Sequence, residues 1–178
     1  MIQGDIMEFL NRKNIRLKEY DYSRNGAYFI TICTQNKKCI LSKINPPANN
    51  LKTFVGATIG RPNEITHLSK YGKIINTAIL NIPYCYPMIK IINYIIMPNH
   101  IHLLLFINNE CGRAMHAPTI SSVIQQFKGS ISKQIGFPIF QRSFHDHIIR
   151  NEKDYQNIYS YINSNPFNWA NDCFYTKI

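Results

Sequence analysis

The chain has 178 residues, 45% of them hydrophobic, with 20 Lys and Arg against 10 Asp and Glu, for a net charge of +10. That is enough apolar content for one compact domain, and it excludes a disordered repeat. No apolar run approaches the roughly 20 residues of a membrane span, and the start, M-I-Q-G-D-I-M-E-F-L-N-R-K, is too short and too acidic for a signal peptide. Cytoplasmic residence, with no membrane partner, is the expectation.

The excess of basic residues suggests a polyanionic partner, nucleic acid first, against the plainer alternative of a merely soluble basic protein. Cys33, Cys39, Cys85, Cys111 and Cys173 are odd in number, scattered and form no C-x-x-C. They read as reduced, partly buried thiols rather than a disulfide framework or zinc knuckle.

The chain is read as one domain over 1–178, with a basic arm at 1–24 and a loop insertion at 41–66. Residues 11–24 interleave basic residues with tyrosines and suit a phosphate backbone, or else a solvated terminus. Ala27 to Thr34 is a strand from its β-branched and aromatic content. Pro46, Pro47, Gly56, Gly60 and Pro62 mark 41–66 as a long loop, with room for a short strand near Phe54-Val55.

His67 to Ile82 shows apolar residues at three- and four-residue steps and reads as a helix broken by Pro83. Met88 to Met97 and His100 to Ile107 are strands joined through Pro98-Asn99, hence an antiparallel hairpin. Thr119 to Ile135 is an amphipathic helix, capped by Thr119 or Ser121 and ended by Gly136. Ile139 to Phe144 reads as a short strand and Asn151 to Asn163 as a last helix, stopped by Pro166. This order predicts an α+β sandwich of ferredoxin-like type: an antiparallel sheet with helices packed on one face and the site on the other.

His100 and His102 carry the first chemical signal. Side chains two apart on a strand share a face, so two imidazoles project together from an otherwise apolar strand. A lone strand histidine is more often structural; a pair points to a divalent metal, and two imidazoles with an oxygen ligand suit Mg or Mn acting on a phosphate.

On the last helix Tyr155, Ile158, Tyr159 and Ile162 form the core stripe. Tyr161 lies roughly 100° off it, in a polar row with Asp154, Asn157 and Asn165. Its hydroxyl could face a cleft, although a surface tyrosine is the more ordinary reading of the pattern. A phenol with a pKa of about 10 is a poor nucleophile without a nearby base or a polarised electrophile. In His145-Asp146-His147, Asp146 or His147 could support a metal shell and Arg150 could clamp a phosphate; a polar connection between elements is the alternative.

P-N-H-I-H-L-L-L at 98–105 resembles the His-hydrophobic-His (HUH) motif of single-tyrosine transposases. The segments at 15–35, 94–102, 127–132 and 145–166, in that order, resemble the REP-associated tyrosine transposase branch and span most of the chain. The resemblance implies a ferredoxin-like fold that cuts and rejoins single-stranded or hairpin DNA through a 5′-phosphotyrosine, as a monomer or homodimer. It implies metal ligation by His100 and His102, with Asn165 as third ligand, and Tyr161 as nucleophile. Arg12, Lys13, Arg16, Lys18, Arg24, Lys128, Lys133 and Arg150 would bind DNA phosphates, with Asp146 and His147 behind the metal. His145 departs from the aromatic residue more usual at its position. A non-catalytic or domesticated single-strand-binding protein is the alternative, and a hydrolase of small phosphates a third.

Overall fold

The apolar, β-branched segments assemble into one antiparallel sheet. The computed structural model describes residues 22, 24–45, 65–108 and 118–176. Within them the strands are β1 (Gly26–Cys33), β2 (Ser42–Ile44), β3 (Thr66–Leu68), β4 (Ile89–Ile96), β5 (His100–Ile107) and β6 (His145–Ile149). The helices are α1 (Lys70–Cys85), α2 (Ile120–Ile135) and α3 (Glu152–Ser164).

The main sheet has the order β4-β5-β1-β6, every neighbouring pair antiparallel. The β1–α1–β4 crossover leaves room for β5 between its two strands, which is the split βαβ arrangement of the ferredoxin-like fold. β4 and β5 meet across Pro98-Asn99, where the Met97 N–H donates to the His100 carbonyl at 2.9 Å.

Alternation sorts the strands into two faces. Tyr28, Ile30 and Ile32 of β1 and Ile101, Leu103 and Leu105 of β5 meet Ile75, Ile79 and Ile82 of α1 and Val123, Ile124 and Phe127 of α2 in the main core. The opposite face carries His100, His102 and Leu104. That face is not bare: α3 lies across it, burying Ile162 with Ile95, Met97 and Leu104, flanked by Tyr155 and Ile158. β5 is therefore covered on both faces, which accounts for its nearly continuous apolar run. Two polar contacts fasten α3: Asn93 Nδ2 donates to Asn163 Oδ1 at 3.0 Å, beside a β-bulge in β4, and His147 Nε2 lies 2.8 Å from Asp154 Oδ2.

The helix ends follow their capping residues. Ser69 Oγ accepts from the Gly72 N–H, Thr119 Oγ1 from the Ser122 N–H and Asn151 Oδ1 from the Asp154 N–H. Gly136 closes α2 at φ 92°, a left-handed position suited to glycine.

Several boundaries differ from the sequence reading. His67 and Leu68 belong to β3, not to the helix, because Thr66–Leu68 pairs with Ser42–Ile44. The expected loop at 41–66 is thus bounded by a two-stranded ladder, and Phe54-Val55 lies outside the described residues. Pro83 does not end α1; the Tyr86 N–H still closes on the Ile82 carbonyl at 2.8 Å. The expected strand at 139–144 reduces to a single bridge between Thr34 and Phe140, and the edge strand is the next segment, His145–Ile149.

At Gly72, α1 passes close against the backbone of Leu41. A Cβ there would overlap the Leu41 carbonyl oxygen, whereas one on Gly129 of α2 would meet nothing. Backbone cannot yield as a side-chain tip can. Gly72→Ala is expected to cost about 3 kcal/mol, and Gly129→Ala to add about 0.5–1 kcal/mol through helix propensity. Urea midpoints of the two variants, moving in opposite directions, check this.

Candidate metal and nucleophile site

β5 holds His100 and His102 rigidly, both fully buried. Their Nε2 atoms face each other at 3.0 Å. The outer nitrogens are engaged: His100 Nδ1 lies 2.9 Å from Asn99 Oδ1, and His102 Nδ1 lies 2.9 Å from Thr31 Oγ1. Asn99 Nδ2 donates to the Phe174 carbonyl at 2.8 Å, which fixes the amide so that Oδ1 is its acceptor. His100 Nδ1 must then carry the proton, and its Nε2 lone pair points inward.

Burial, then the Lys37 charge, pulls the His100 pKa down to about 3. Burial, then His100, pushes His102 well below the ordinary range, with Asp172 opposing. Both rings are neutral near pH 7, the state a metal ligand requires.

A carboxylate completes the set. Asp172 follows a 3₁₀ turn at Trp169–Asn171, and its carboxylate and the two imidazoles offer ligand atoms within 4.8 Å of one another. Asp172 Oδ1 accepts from the Phe174 N–H at 2.6 Å, and Oδ2 accepts from Asn165 Nδ2 at 2.6 Å. Asn165, expected as third ligand, thus orients Asp172 with its amide nitrogen. Its buried Oδ1 has no partner among the described residues, which leaves an unsatisfied acceptor beside two histidines and a carboxylate. Two imidazoles, a carboxylate and a spare amide oxygen fit a divalent cation.

Tyr161 reaches this group from α3. Its hydroxyl is 3.4 Å from His102 Nε2 and 3.4 Å from Asp172 Oδ2. Its ring packs edge-on to Phe29 with centroids 6.1 Å apart, and its centroid is 5.3 Å from that of His102. Burial first, then the Asp172 charge, pushes the phenol up to about 12, so the tyrosine holds its proton until a positive charge opposes both. Phe29, Trp169 and Phe174 wall the imidazoles at centroid distances of 5.0, 5.9 and 4.7 Å.

The structure therefore gathers His100, His102, Tyr161 and Asn165 and adds Asp172, Asn99 and Thr31, which sequence reasoning missed. Asn99 stood in the turn next to His100. Asp172 lies in an irregular stretch whose only signal was an acid in a basic chain.

Other expected residues fall elsewhere. Asp146 pairs with Ile30 and so belongs to the face covered by α1 and α2, and His147 is bound to Asp154; Asn99 and Thr31, not these two, support the histidines. Lys128 is not a free phosphate contact: its ammonium donates to the Gln141, Arg142 and Ser143 carbonyls and fixes the loop before β6. Lys133 is exposed on α2, which covers the face opposite the histidines. Arg24 is exposed just before β1, and Arg150, exposed after β6, lines a cleft of about 410 Å³ with Tyr22, His147 and Asp154. Arg12, Lys13, Arg16 and Lys18 lie outside the described residues.

No protein-family profile matches the chain. An uncharacterized protein of Haemophilus influenzae is 33% identical, covering 93% of this chain and 93% of its own. Among solved structures, a REP-associated tyrosine transposase bound to a REP hairpin superposes with a TM-score of 0.55 at 21% identity, covering 86% of this chain and 74% of the other. Among the described residues no helix is long and apolar enough to cross a membrane. The chain belongs to one family with the Haemophilus influenzae protein, and its fold is that of the REP-associated tyrosine transposase whose branch its motifs resemble.

Proposed function

We propose that this chain is an HUH-type tyrosine transposase, a nuclease and strand transferase acting on single-stranded DNA beside a hairpin. The observation that carries the reading is the approach of the Tyr161 hydroxyl to within 3.4 Å of His102 Nε2, across 59 residues of sequence. A core-packing tyrosine has no need of that neighbour. The fold match to a transposase bound to a REP hairpin supports the choice of substrate.

His100, His102 and Asp172, with the Asn165 amide oxygen beside them, would hold Mg or Mn. When bound, the ion supplies Lewis-acid polarisation of the scissile phosphate and positive charge next to the phenol. The Tyr161 oxygen attacks phosphorus, and the bond from phosphorus to the 3′ oxygen breaks. Asp172, already an acceptor for the hydroxyl, is placed to take the phenol proton. The leaving 3′ oxygen takes up a proton in place of the one the phenol loses, and the products are a 5′-phosphotyrosine and a free 3′-hydroxyl. Attack by that hydroxyl, or by one from another end, reverses the step and rejoins DNA. The phosphodiester energy is kept in the protein–DNA bond, so no nucleotide cofactor is required.

The test is a labelled DNA hairpin with single-stranded flanks, incubated with the protein in Mg or Mn and resolved on a denaturing gel. A covalent protein–DNA species that disappears with EDTA is expected. Hairpin binding with no adduct in either metal would identify a binding module instead.

A further inference from the structure

The turn after β1 holds two consecutive residues in the left-handed region, Asn36 at φ 54° and Lys37 at φ 52°. Neither is glycine, so the backbone is strained at both, and such strain persists only where surrounding contacts over-determine it. The contacts here are specific. The Lys37 N–H donates to the Thr34 carbonyl at 3.1 Å, and Thr34 Oγ1 donates to the Lys38 carbonyl at 2.9 Å. The Gln35 N–H donates to the Ile139 carbonyl at 2.8 Å. Asn99 Nδ2 donates to the Lys37 carbonyl at 3.3 Å, and the Asn99 carbonyl accepts from the Thr34 N–H at 2.9 Å and from Thr34 Oγ1 at 3.0 Å. The residue that orients His100 therefore also fastens this turn.

The product of that arrangement is a positioned cation. Lys37 Nζ sits 5.3 Å from the centroid of the Phe174 ring, whose centroid is 4.7 Å from that of His100. The side chain is exposed and makes no ion pair among the described residues. An unpaired ammonium held by a strained turn at the rim of a phosphoryl-transfer site calls for an anion.

We propose that Lys37 is a substrate-binding residue, contacting the DNA backbone phosphate next to the one positioned at the histidine pair. This rests on the proposed DNA-cleaving function and adds a contact to it. The three amine donors and the aromatic support of Phe174 suit a phosphate approached from solvent. The strained turn supplies direction that a flexible surface lysine lacks.

The test measures binding alone, in a Tyr161→Phe background that cannot cleave. A fluorescent DNA hairpin with single-stranded flanks is titrated by anisotropy in Mg, from about 50 to 200 mM salt. Lys37→Met is expected to weaken binding several-fold and to reduce the slope of log Kd against log salt by about 0.7, the increment for one phosphate contact on a single strand. Lys37→Arg should keep the slope. Lys37→Gly should lose it while unfolding no earlier than the parent, since glycine relieves the left-handed strain, and this separates lost charge from lost structure. Lys73→Met, exposed on α1 over the opposite face, should leave both quantities unchanged. A tightly binding parent whose Lys37→Met variant matches it in affinity and slope would overturn the Lys37 contact alone. A parent that does not bind the hairpin overturns both this contact and the functional reading beneath it.

Discussion

Replacing Tyr161 with phenylalanine is expected to lower covalent adduct formation by at least about 10⁴-fold while leaving hairpin affinity and stability close to those of the parent. The substitution removes one oxygen. The ring keeps its edge-on contact with Phe29 and its packing on His102. The hydroxyl's two hydrogen bonds, to His102 and Asp172, are both long at 3.4 Å, so their contribution to stability is below about 1 kcal/mol. The other tyrosines of α3 do not replace the hydroxyl by a small movement: Tyr155 and Tyr159 stack on each other at 6.3 Å along another side of the helix. Adduct yield on a denaturing gel, beside affinity and thermal midpoint, separates loss of the nucleophile from loss of fold. Persistent adducts in Tyr161→Phe would place the covalent bond on another residue and remove the geometric basis of the assignment.

Acid should destabilise the protein as the pH falls from about 7 toward 4. In the unfolded chain a histidine takes up a proton near pH 6.5. In the folded protein His100 resists until about pH 3, because burial and then Lys37 disfavour its charged form, and His102 is held low by burial and by His100. The folded pKa values lie below the unfolded ones, so the unfolded state binds more protons throughout this window. Stability is therefore fully present above pH 6.5 and falls as pH drops toward 3. Between pH 7 and 4 the loss from His100 alone is on the order of 3 kcal/mol, a large fraction of the total for a domain of this size. A divalent ion bound at the proposed site would steepen the profile, because it too would require neutral imidazoles and would stabilise only the folded state. Urea midpoints at pH 7, 5.5 and 4 measure this, and the His100→Gln, His102→Gln double variant should show a flatter profile. A parent midpoint constant from pH 7 to 4 would contradict the buried neutral pair.

The hairpin through β4 and β5 was legible because its signals are local: two β-branched runs, a Pro-Asn turn and alternation that placed both histidines on one face. The caps at Thr119 and Gly136 were legible for the same reason. The angle of Tyr161 on the helix set it off the core stripe, but a surface tyrosine was the more ordinary reading of that pattern, and its role came from the family resemblance. What was hidden depends on partners distant in sequence. His145-Asp146-His147 looks like a polar connection until it is paired with β1, and that pairing separates Asp146 from His147 onto opposite faces. β2 and β3 are three residues each and exist only as each other's partners. Lys128 looks like any surface lysine on an amphipathic helix; nothing local announces that three carbonyls will converge on it. Asp172 sits where no periodicity holds, and only the return of the chain across β5 brings it to the histidines.

α3 differs from the other helices in how it is held. α1 and α2 share the large core, whereas α3 rests on a small one built around Ile162, tied by Asp154 and Asn163 near its two ends and by the long contacts of the Tyr161 hydroxyl. Local opening costs least where the buried apolar area is smallest. Tyr161, the proposed nucleophile, thus rides on a helix that should open more readily than the sheet carrying His100 and His102. On the proposed mechanism, a molecule that has released α3 would keep its sheet and its imidazole pair and would form no adduct with DNA. Damage, heat or denaturant should disarm the protein before it unfolds.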